Sequence, residues 1–202
     1  MPSAPADASR LRRGLIVDGY RIALFIHLAA LVAAAWASSR THLAETRAHR
    51  AATAGEALQW YMIAGKAARI FPVVIVLLLA TGGYMMSRGG YTWRDGWIVT
   101  GVLAALLLFA VGGVLGARGR AGARALAQGD PGAAPPAPDY VAARLSRLNT
   151  GIALGAMFVM VTKPSLVVSL AALVAAAIIG AVSVRAAAPE AATRVPSEAA
   201  GA

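Results

Sequence analysis

The chain has 202 residues, of which 58% are hydrophobic and only 14% are charged; its formal net charge is +10 and it has no cysteine. A soluble globular domain carries about 25% charged residues, so this composition indicates a membrane protein. The lack of cysteine excludes disulfides, thiolate metal sites, CxxCH haem attachment and cysteine nucleophiles. Because the basic residues stand between apolar runs and no nucleic-acid-binding motif is present, we expect anionic lipid, not nucleic acid, to meet the positive charge.

The N-terminal part predicts a tail followed by a first membrane span. Residues 1–16 are largely polar and basic and are expected to be flexible, whereas residues 17–37 are mainly apolar, with Asp18 and Arg21 near their start and His27 in their middle. A cleavable signal peptide is the rival interpretation, because Ala35-Trp36-Ala37 before Ser38 imitates a cleavage site. The polar His27 inside the apolar stretch argues against that rival, so we interpret residues 17–37 as a span.

The next segment, residues 38–69, mixes charged and apolar residues, and no proline interrupts it. Its alanine, leucine, glutamate and arginine favour helix, which predicts an amphipathic helix along the membrane surface. Trp60 is then expected at the level of the lipid headgroups. A second span follows at residues 70–86, with Pro72 in its first turn, where a missing N–H costs little.

Three further spans are predicted at residues 97–117, 145–162 and 166–184. Residues 118–138 are rich in glycine, alanine and proline and predict a linker that need not be ordered. Between the last two spans, Pro164 disfavours helix at Lys163, and a lone lysine at mid-bilayer is costly. Lys163-Pro164-Ser165 therefore predicts a hairpin tip at the lipid–water interface, and residues 185–202 predict a disordered tail.

Taken together, the elements predict an all-α integral membrane protein with one helical membrane domain over residues 17–184 and five transmembrane helices. Lys66 and Lys163 are the only lysines, and the excess of arginine with abundant alanine suggests a bacterial protein of the inner membrane. Five spans place eleven basic residues on the side of the C-terminus and six on the other side. The positive-inside rule then predicts the N-terminus outside and the C-terminus in the cytoplasm. The eleven are Arg40, Arg47, Arg50, Lys66, Arg69, Arg118, Arg120, Arg124, Arg144, Arg185 and Arg194.

Two intramembrane features are candidate binding sites. His27 is an ionisable residue deep within a span; it either bonds a neighbouring helix or binds haem iron or copper, with Met85, Met86, Met157 or Met160 as a soft partner. The fourth span carries Asn149, Met160 and Lys163 on one helical face. This face serves either for packing, with Lys163 reaching the interface, or as the lining of a cavity for an ion or cofactor.

Polar residues near the spans provide further candidates. His42, Glu45 and His49 lie at i, i+3 and i+7, the spacing at which two histidines and one carboxylate converge on a divalent metal ion. The alternative is an exposed polar face, which the neighbouring arginines favour because they oppose a cation. Arg69 and Arg147 stand at the starts of spans and are expected to pair with lipid phosphate, and Trp97 is expected at the interface.

Several short motifs are distributed over the spans and their ends: His27, Ala68-Arg69-Ile70-Phe71, Thr81-Gly82-Gly83-Tyr84, Trp93 with Gly96-Trp97, Leu148-Asn149 and Met160-Val161-Thr162-Lys163-Pro164. Together they resemble the bacterial membrane proteins related to the copper-resistance protein D permease domain. The resemblance covers about residues 20–164 and implies a four-helix membrane core, with the fifth span outside it. Some such proteins handle copper, and a similar fold serves a haem-dependent protoporphyrinogen oxidase, so copper and haem b stay open as cofactors.

No nucleophile elbow, P-loop, HExxH or Rossmann glycine pattern is present, so no soluble-type enzyme chemistry is indicated. The sequence therefore predicts a non-enzymatic inner-membrane protein, either an accessory subunit of other membrane proteins or a copper-resistance-D-like protein. A haem-binding membrane oxidoreductase with His27 as axial ligand and a small metal-ion permease are the alternatives.

Overall fold

The computed structural model describes residues 6–135, 137 and 139–183. These residues contain helices and connecting turns and no strand, which confirms the all-α prediction. There are six helices: α1 Ala6–Ala48, α2 Ala54–Ala68, α3 Ile70–Gly89, α4 Gly96–Gln128, α5 Tyr140–Thr162 and α6 Leu166–Val182. The predicted tail at 185–202 and the last residue of the predicted fifth span lie outside the described residues.

A seven-residue repeat of buried alanines runs along α1. Ala23, Ala30, Ala37 and Ala44 are all buried, and α1 packs against α2 and α3. A strict seven-residue spacing keeps one face of a helix against its partner, and small side chains let the two backbones approach closely. This face therefore fixes α1 along the whole length of the α2–α3 pair.

Helices α2 and α3 form one rod with a local interruption at Arg69. In an unbroken helix the ring of Pro72 would clash with the carbonyl four residues earlier, which is that of Ala68, and α2 ends at Ala68. The rod runs antiparallel to α1, because His27 meets Thr81 and Arg47 lies over Trp60.

Residues 38–69 thus differ from the single surface helix that the sequence predicted. Residues 38–48 continue α1 without a break, and residues 54–68 form α2, which folds back along α1. The reason is that the buried-alanine repeat does not stop at the end of the apolar stretch: Ala37 and Ala44 belong to the same face. Packing of that face outweighs the tendency of a mixed segment to lie on a lipid surface.

Helices α4, α5 and α6 form the second half of the bundle around a core of Ala104, Ile152 and Leu173. Glycines bring α5 and α6 into backbone contact. A Cβ atom added at Gly151 would overlap the carbonyl oxygen of Ala176, and one added at Gly180 would overlap that of Arg147. This α5–α6 pair is joined to the first half through α4, which also contacts α2 and α3.

The turn between α5 and α6 lies where the sequence places it. Lys163 ends α5 in the left-handed conformation, with φ 48° and ψ 51°, and α6 begins at Leu166. A left-handed residue is a frequent way to stop a helix and reverse the chain. At Gly96 the first turn of α4 approaches the start of α6 so closely that a side chain there would overlap Leu166.

The lengths of the helices match a bilayer. In the described part of the chain, four helical stretches are long and apolar enough to cross a membrane, and the shorter apolar α6 has 17 residues. Tyr20 and Arg40, Gly89 and Arg69, and Trp97 and Arg118 are separated by 20 or 21 positions, or about 30 Å of helix, the thickness of the hydrocarbon core. We call the end with Tyr91, Trp97 and Lys163 the lysine end, and the opposite end, with Arg40, Arg69 and Arg118, the arginine end.

Beyond the arginine end, the chain builds a small cap where the sequence predicted an unordered linker. Helix α4 runs on to Gln128, and Leu126 packs against Ala54 and Ala57 of α2. The N–H groups of Ala54 and Gly55 donate to the carbonyls of Ala133 and Pro131, at 2.9 and 3.0 Å. The glycine-rich segment is therefore ordered because it satisfies the free donors at the start of α2. At the other terminus, α1 begins at Ala6, within the predicted tail.

Candidate functional site

A polar seam joins α1 to α5 at the arginine end; it consists of His42, Glu45, Ser146, Asn149 and Thr150. Ser146 Oγ lies 3.4 Å from His42 Nδ1, and Thr150 Oγ1 lies 3.4 Å from His42 Nε2. Hydrogen bonds of this kind are usually 2.7–3.2 Å long, so both nitrogens of the imidazole are weakly held. No Cα atoms of the described parts of α1 and α5 lie within 8 Å of each other, so His42 spans the gap between the helices.

Asn149 adds an unsatisfied acceptor to the seam. It stands three residues after Ser146, on the same face of α5. Its Oδ1 atom is buried and has no hydrogen-bond partner among the described residues. Leaving a buried acceptor unpaired costs about 1–3 kcal/mol, so this oxygen favours the binding of a donor or a cation.

Glu45 supplies a carboxylate at the same place. Its Oε2 lies 3.8 Å from His42 Nδ1, and the two side chains are 36% and 39% exposed. At this exposure the pair is reachable from water at the arginine end. The seam thus offers an imidazole nitrogen beside a carboxylate and two hydroxyls, and an amide oxygen on the same face of α5 as the hydroxyls.

The predicted set of His42, Glu45 and His49 is not brought together. Helix α1 ends at Ala48, and His49 is an exposed residue at the start of the following turn. The part of the chain that the structure describes contains no group of three or more His, Cys, Asp or Glu side chains placed to hold a metal ion. His42 and Glu45 instead meet the polar face of α5.

His27 makes the contact that one of its two sequence-based interpretations predicts, a hydrogen bond to a neighbouring helix. Its Nδ1 lies 2.9 Å from Thr81 Oγ1 on α3. Since the hydroxyl of Thr81 donates to the carbonyl of Leu77, it accepts from Nδ1–H of His27. Nε2 is then the nitrogen that a ligand could use.

Met160 lies elsewhere, on α5 against α4. A Cβ atom added at Gly101 would overlap its terminal methyl group, so the Met160 side chain fills the space over that glycine. His27 faces α3 and Met160 faces α4, and the structure does not bring these two residues together as a ligand pair.

Lys163 is held by aromatic residues at the lysine end. Its ammonium donates to Tyr91 Oη at 2.8 Å and lies 4.7 and 5.2 Å from the ring centroids of Tyr91 and Trp97. The two rings meet edge to face, with centroids 5.1 Å apart. A cation over such rings at a membrane boundary is stabilised without entering the lipid, which accounts for the predicted interface position of Trp97.

The remaining predicted interface residues are distributed over the arginine end. Arg69 is exposed at the junction of α2 and α3, and Arg147 is exposed on α5 one residue after Ser146. Trp60 is half-buried, with the guanidinium of Arg47 5.3 Å from its ring centroid. Trp60 lies on the part of α2 beyond Arg69, within the cap.

Asp139 fastens the cap to the bundle. Its carboxylate accepts from the N–H groups of Val141 and Ala142 at the start of α5 and from Arg118 of α4, with both Arg118 contacts at 2.9 Å. The hydrogen bond from Ala142, then those from Arg118 and Val141, lower the pKa of the Asp139 carboxyl below its ordinary value.

We expect replacement of Asp139 with asparagine to lower the thermal stability of the purified protein at pH 7, by an amount that shrinks on acidification. A carboxyl whose pKa is lower in the folded protein stabilises the fold above its unfolded pKa of about 3.9, and this contribution is lost as the pH falls through the folded value. Asparagine caps a helix about as well as aspartate, so the variant loses the charge of the carboxylate but keeps the cap, and at this exposure we expect a loss below about 1 kcal/mol. Melting temperatures measured at pH 7 and pH 3 test this; an equal difference at both would contradict it.

The sequence did not indicate the contact of His42 with Ser146 and Thr150. These residues are 104 and 108 positions apart, and each alone looks like an ordinary polar residue near a span end. The one available signal was helical spacing: Ser146, Asn149 and Thr150 share a face of an otherwise apolar helix. The sequence analysis identified a polar face of this helix through Asn149, but neither Thr150 nor the partner on α1.

No protein-family model, curated protein or solved structure matches this chain.

Proposed function

We propose that this chain is a non-enzymatic, multi-pass protein of the bacterial inner membrane, of the copper-resistance-D-like kind, and that its polar seam binds a divalent transition-metal ion. The observation that carries the proposal is the buried, unpaired amide oxygen of Asn149 on the same face of α5 as the residues that His42 reaches.

The donors of the seam suit such an ion. Imidazole nitrogen, carboxylate and amide oxygen are the ligands that borderline ions such as Cu²⁺ and Zn²⁺ accept in proteins. The 3.4 Å contacts of His42 are weak enough to be exchanged for a metal bond. Glu45 and His42 are partly exposed, so an ion can reach the seam from water. A site at the mouth of the bundle, between two helices that do not pack against each other, fits uptake or release better than permanent storage.

The orientation that we propose places the arginine end in the cytoplasm. The described chain has its α1 start at the lysine end and its α6 end at the arginine end, so the two termini of the bundle face opposite sides. Basic residues concentrate at the arginine end and in its cap, and the positive-inside rule assigns such an end to the cytoplasm. The metal would then be bound at the cytoplasmic surface.

Replacement of His42 with alanine is expected to weaken Cu²⁺ binding by tenfold or more, because loss of a single supporting interaction at a metal site already costs about 10–100-fold in affinity. Binding is measured by calorimetric titration of detergent-purified protein with Cu²⁺. His49→Ala is the matched control, since His49 is an exposed histidine at the same end of the bundle and outside the seam. Equal losses in the two variants, or no binding by the unaltered protein, would refute the proposal.

The haem alternative is tested on the same purified protein by its absorbance spectrum. His27 pairs with Thr81 and lies apart from Met160, so among the predicted methionine partners Met160 has little support as the second haem ligand. A Soret band that disappears in His27→Ala would nevertheless establish haem.

If neither metal nor haem binds, the accessory-subunit interpretation takes their place. It is supported by the open space outside Gly112 and Gly113 on α4, where an added Cβ would meet no atom within 4 Å. Glycines facing outwards let another membrane helix approach closely.

A further inference from the structure

A groove lies between α1 and the α2–α3 rod at the arginine end. Its volume is about 290 Å³, and it is lined by Trp36, Arg40, Ile63, Lys66, Ala67 and Ile70. It is separate from the polar seam, none of whose residues line it.

The groove combines two cations with an apolar wall. Arg40 comes from α1 and Lys66 from α2, so the two charges approach from different helices, and no acidic side chain lines the groove. The guanidinium of Arg40 lies 5.4 Å from the ring centroid of Trp36, which holds it beside the groove. Ile63, Ala67 and Ile70 provide the apolar surface below the charges.

The position of the groove along the bundle matches the boundary of the bilayer. Trp36 and Ile70 lie on the lipid side of the Arg40 and Arg69 level, whereas Lys66 and Ile63 lie beyond it. An indole at this depth is typical of the headgroup region. One end of the groove therefore faces acyl chains and the other faces water.

We propose that this groove binds the headgroup of an anionic phospholipid, with its phosphodiester between Arg40 and Lys66 and its acyl chains along Trp36 and Ile70. The volume corresponds to roughly ten water molecules at about 30 Å³ each, enough for a phosphoglycerol headgroup. Two cations and no carboxylate line the groove. It therefore favours a headgroup with a net negative charge over a zwitterionic headgroup, whose cationic group the two side chains repel. This inference does not rest on metal binding at the seam.

The test uses tryptophan quenching by brominated lipid in mixed micelles that hold equal amounts of phosphatidylglycerol and phosphatidylcholine, only one of which is brominated. The contribution of Trp36 is the fluorescence lost in Trp36→Phe, which keeps an aromatic ring beside Arg40. We expect brominated phosphatidylglycerol to quench this contribution more strongly than brominated phosphatidylcholine. Each cation should raise the ratio of the affinities for phosphatidylglycerol and phosphatidylcholine about fivefold, and the two together should raise it on the order of twentyfold.

The double variant Arg40→Gln/Lys66→Gln should abolish the preference. Arg120→Gln/Arg124→Gln is the matched control, because it removes the same charge from exposed positions of the cap outside the groove. Equal quenching by the two lipids would show that the groove has no preference for anionic lipid, and an equal loss in both double variants would show only diffuse attraction to an anionic surface. Either result would overturn the site. Inorganic phosphate at millimolar concentration should leave the preference unchanged; its abolition by phosphate would assign the groove to a soluble anion instead.

Discussion

Purified protein carrying Gly151→Ala is expected to unfold at a temperature roughly 6–12 °C below that of the unaltered protein. The added methyl group would overlap the carbonyl oxygen of Ala176 on α6, and backbone cannot rotate away as a side chain can. Overpacking of this kind costs about 1–3 kcal/mol, and contact with backbone places the cost at the upper end. For a protein of this size each kcal/mol lowers the melting temperature by roughly 2–4 °C.

Gly112→Ala is the matched control for that experiment, since Gly112 is also a helical glycine but has open space around it. Alanine inside a helix is more stable than glycine by about 0.5–1 kcal/mol, so this variant should melt at the same or a slightly higher temperature. Opposite signs at the two glycines would identify close α5–α6 approach as the cause. A loss of stability in both variants would instead indicate that any side chain on these helices is harmful.

The hairpin shows why part of this fold could be predicted from sequence. Lys163-Pro164-Ser165 combines a residue that stops a helix with a charge that lipid excludes, and both effects act locally. The structure accordingly reverses the chain at Lys163. The apolar lengths of the spans are likewise local properties, and the helices that carry them are present.

The cap could not be predicted in the same way. Residues 118–128 contain glycine and arginine and look like a linker, but Leu126 reaches Ala54 and Ala57, which are about 70 positions earlier. Helix formation there depends on a contact that a single sequence does not reveal. The polar seam is a similar case, because half of it comes from α1 and the other half from α5.

The length of α1 is an intermediate case. The pattern that predicts a continuous helix was present in the sequence, but the local change in composition pointed to a different element. The charged residues after Ala37 suggested a change of element, whereas the alanine spacing continued through Ala44. A substitution at Ala44 therefore distinguishes a continuous α1 from a separate helix lying on the membrane surface.

Ala44→Leu is expected to destabilise the protein by about 1–3 kcal/mol, because Ala44 is 1% exposed and its buried face packs against the α2–α3 rod. Leu43→Ala is the control at the neighbouring position, where the leucine is 56% exposed and its removal should change stability by no more than about 0.5 kcal/mol. Thermal unfolding of both variants in the same detergent measures the difference. On a surface helix the apolar Leu43 would face lipid and the larger loss would belong to Leu43→Ala, so the order of the two effects tells whether α1 continues beyond the bilayer as one helix.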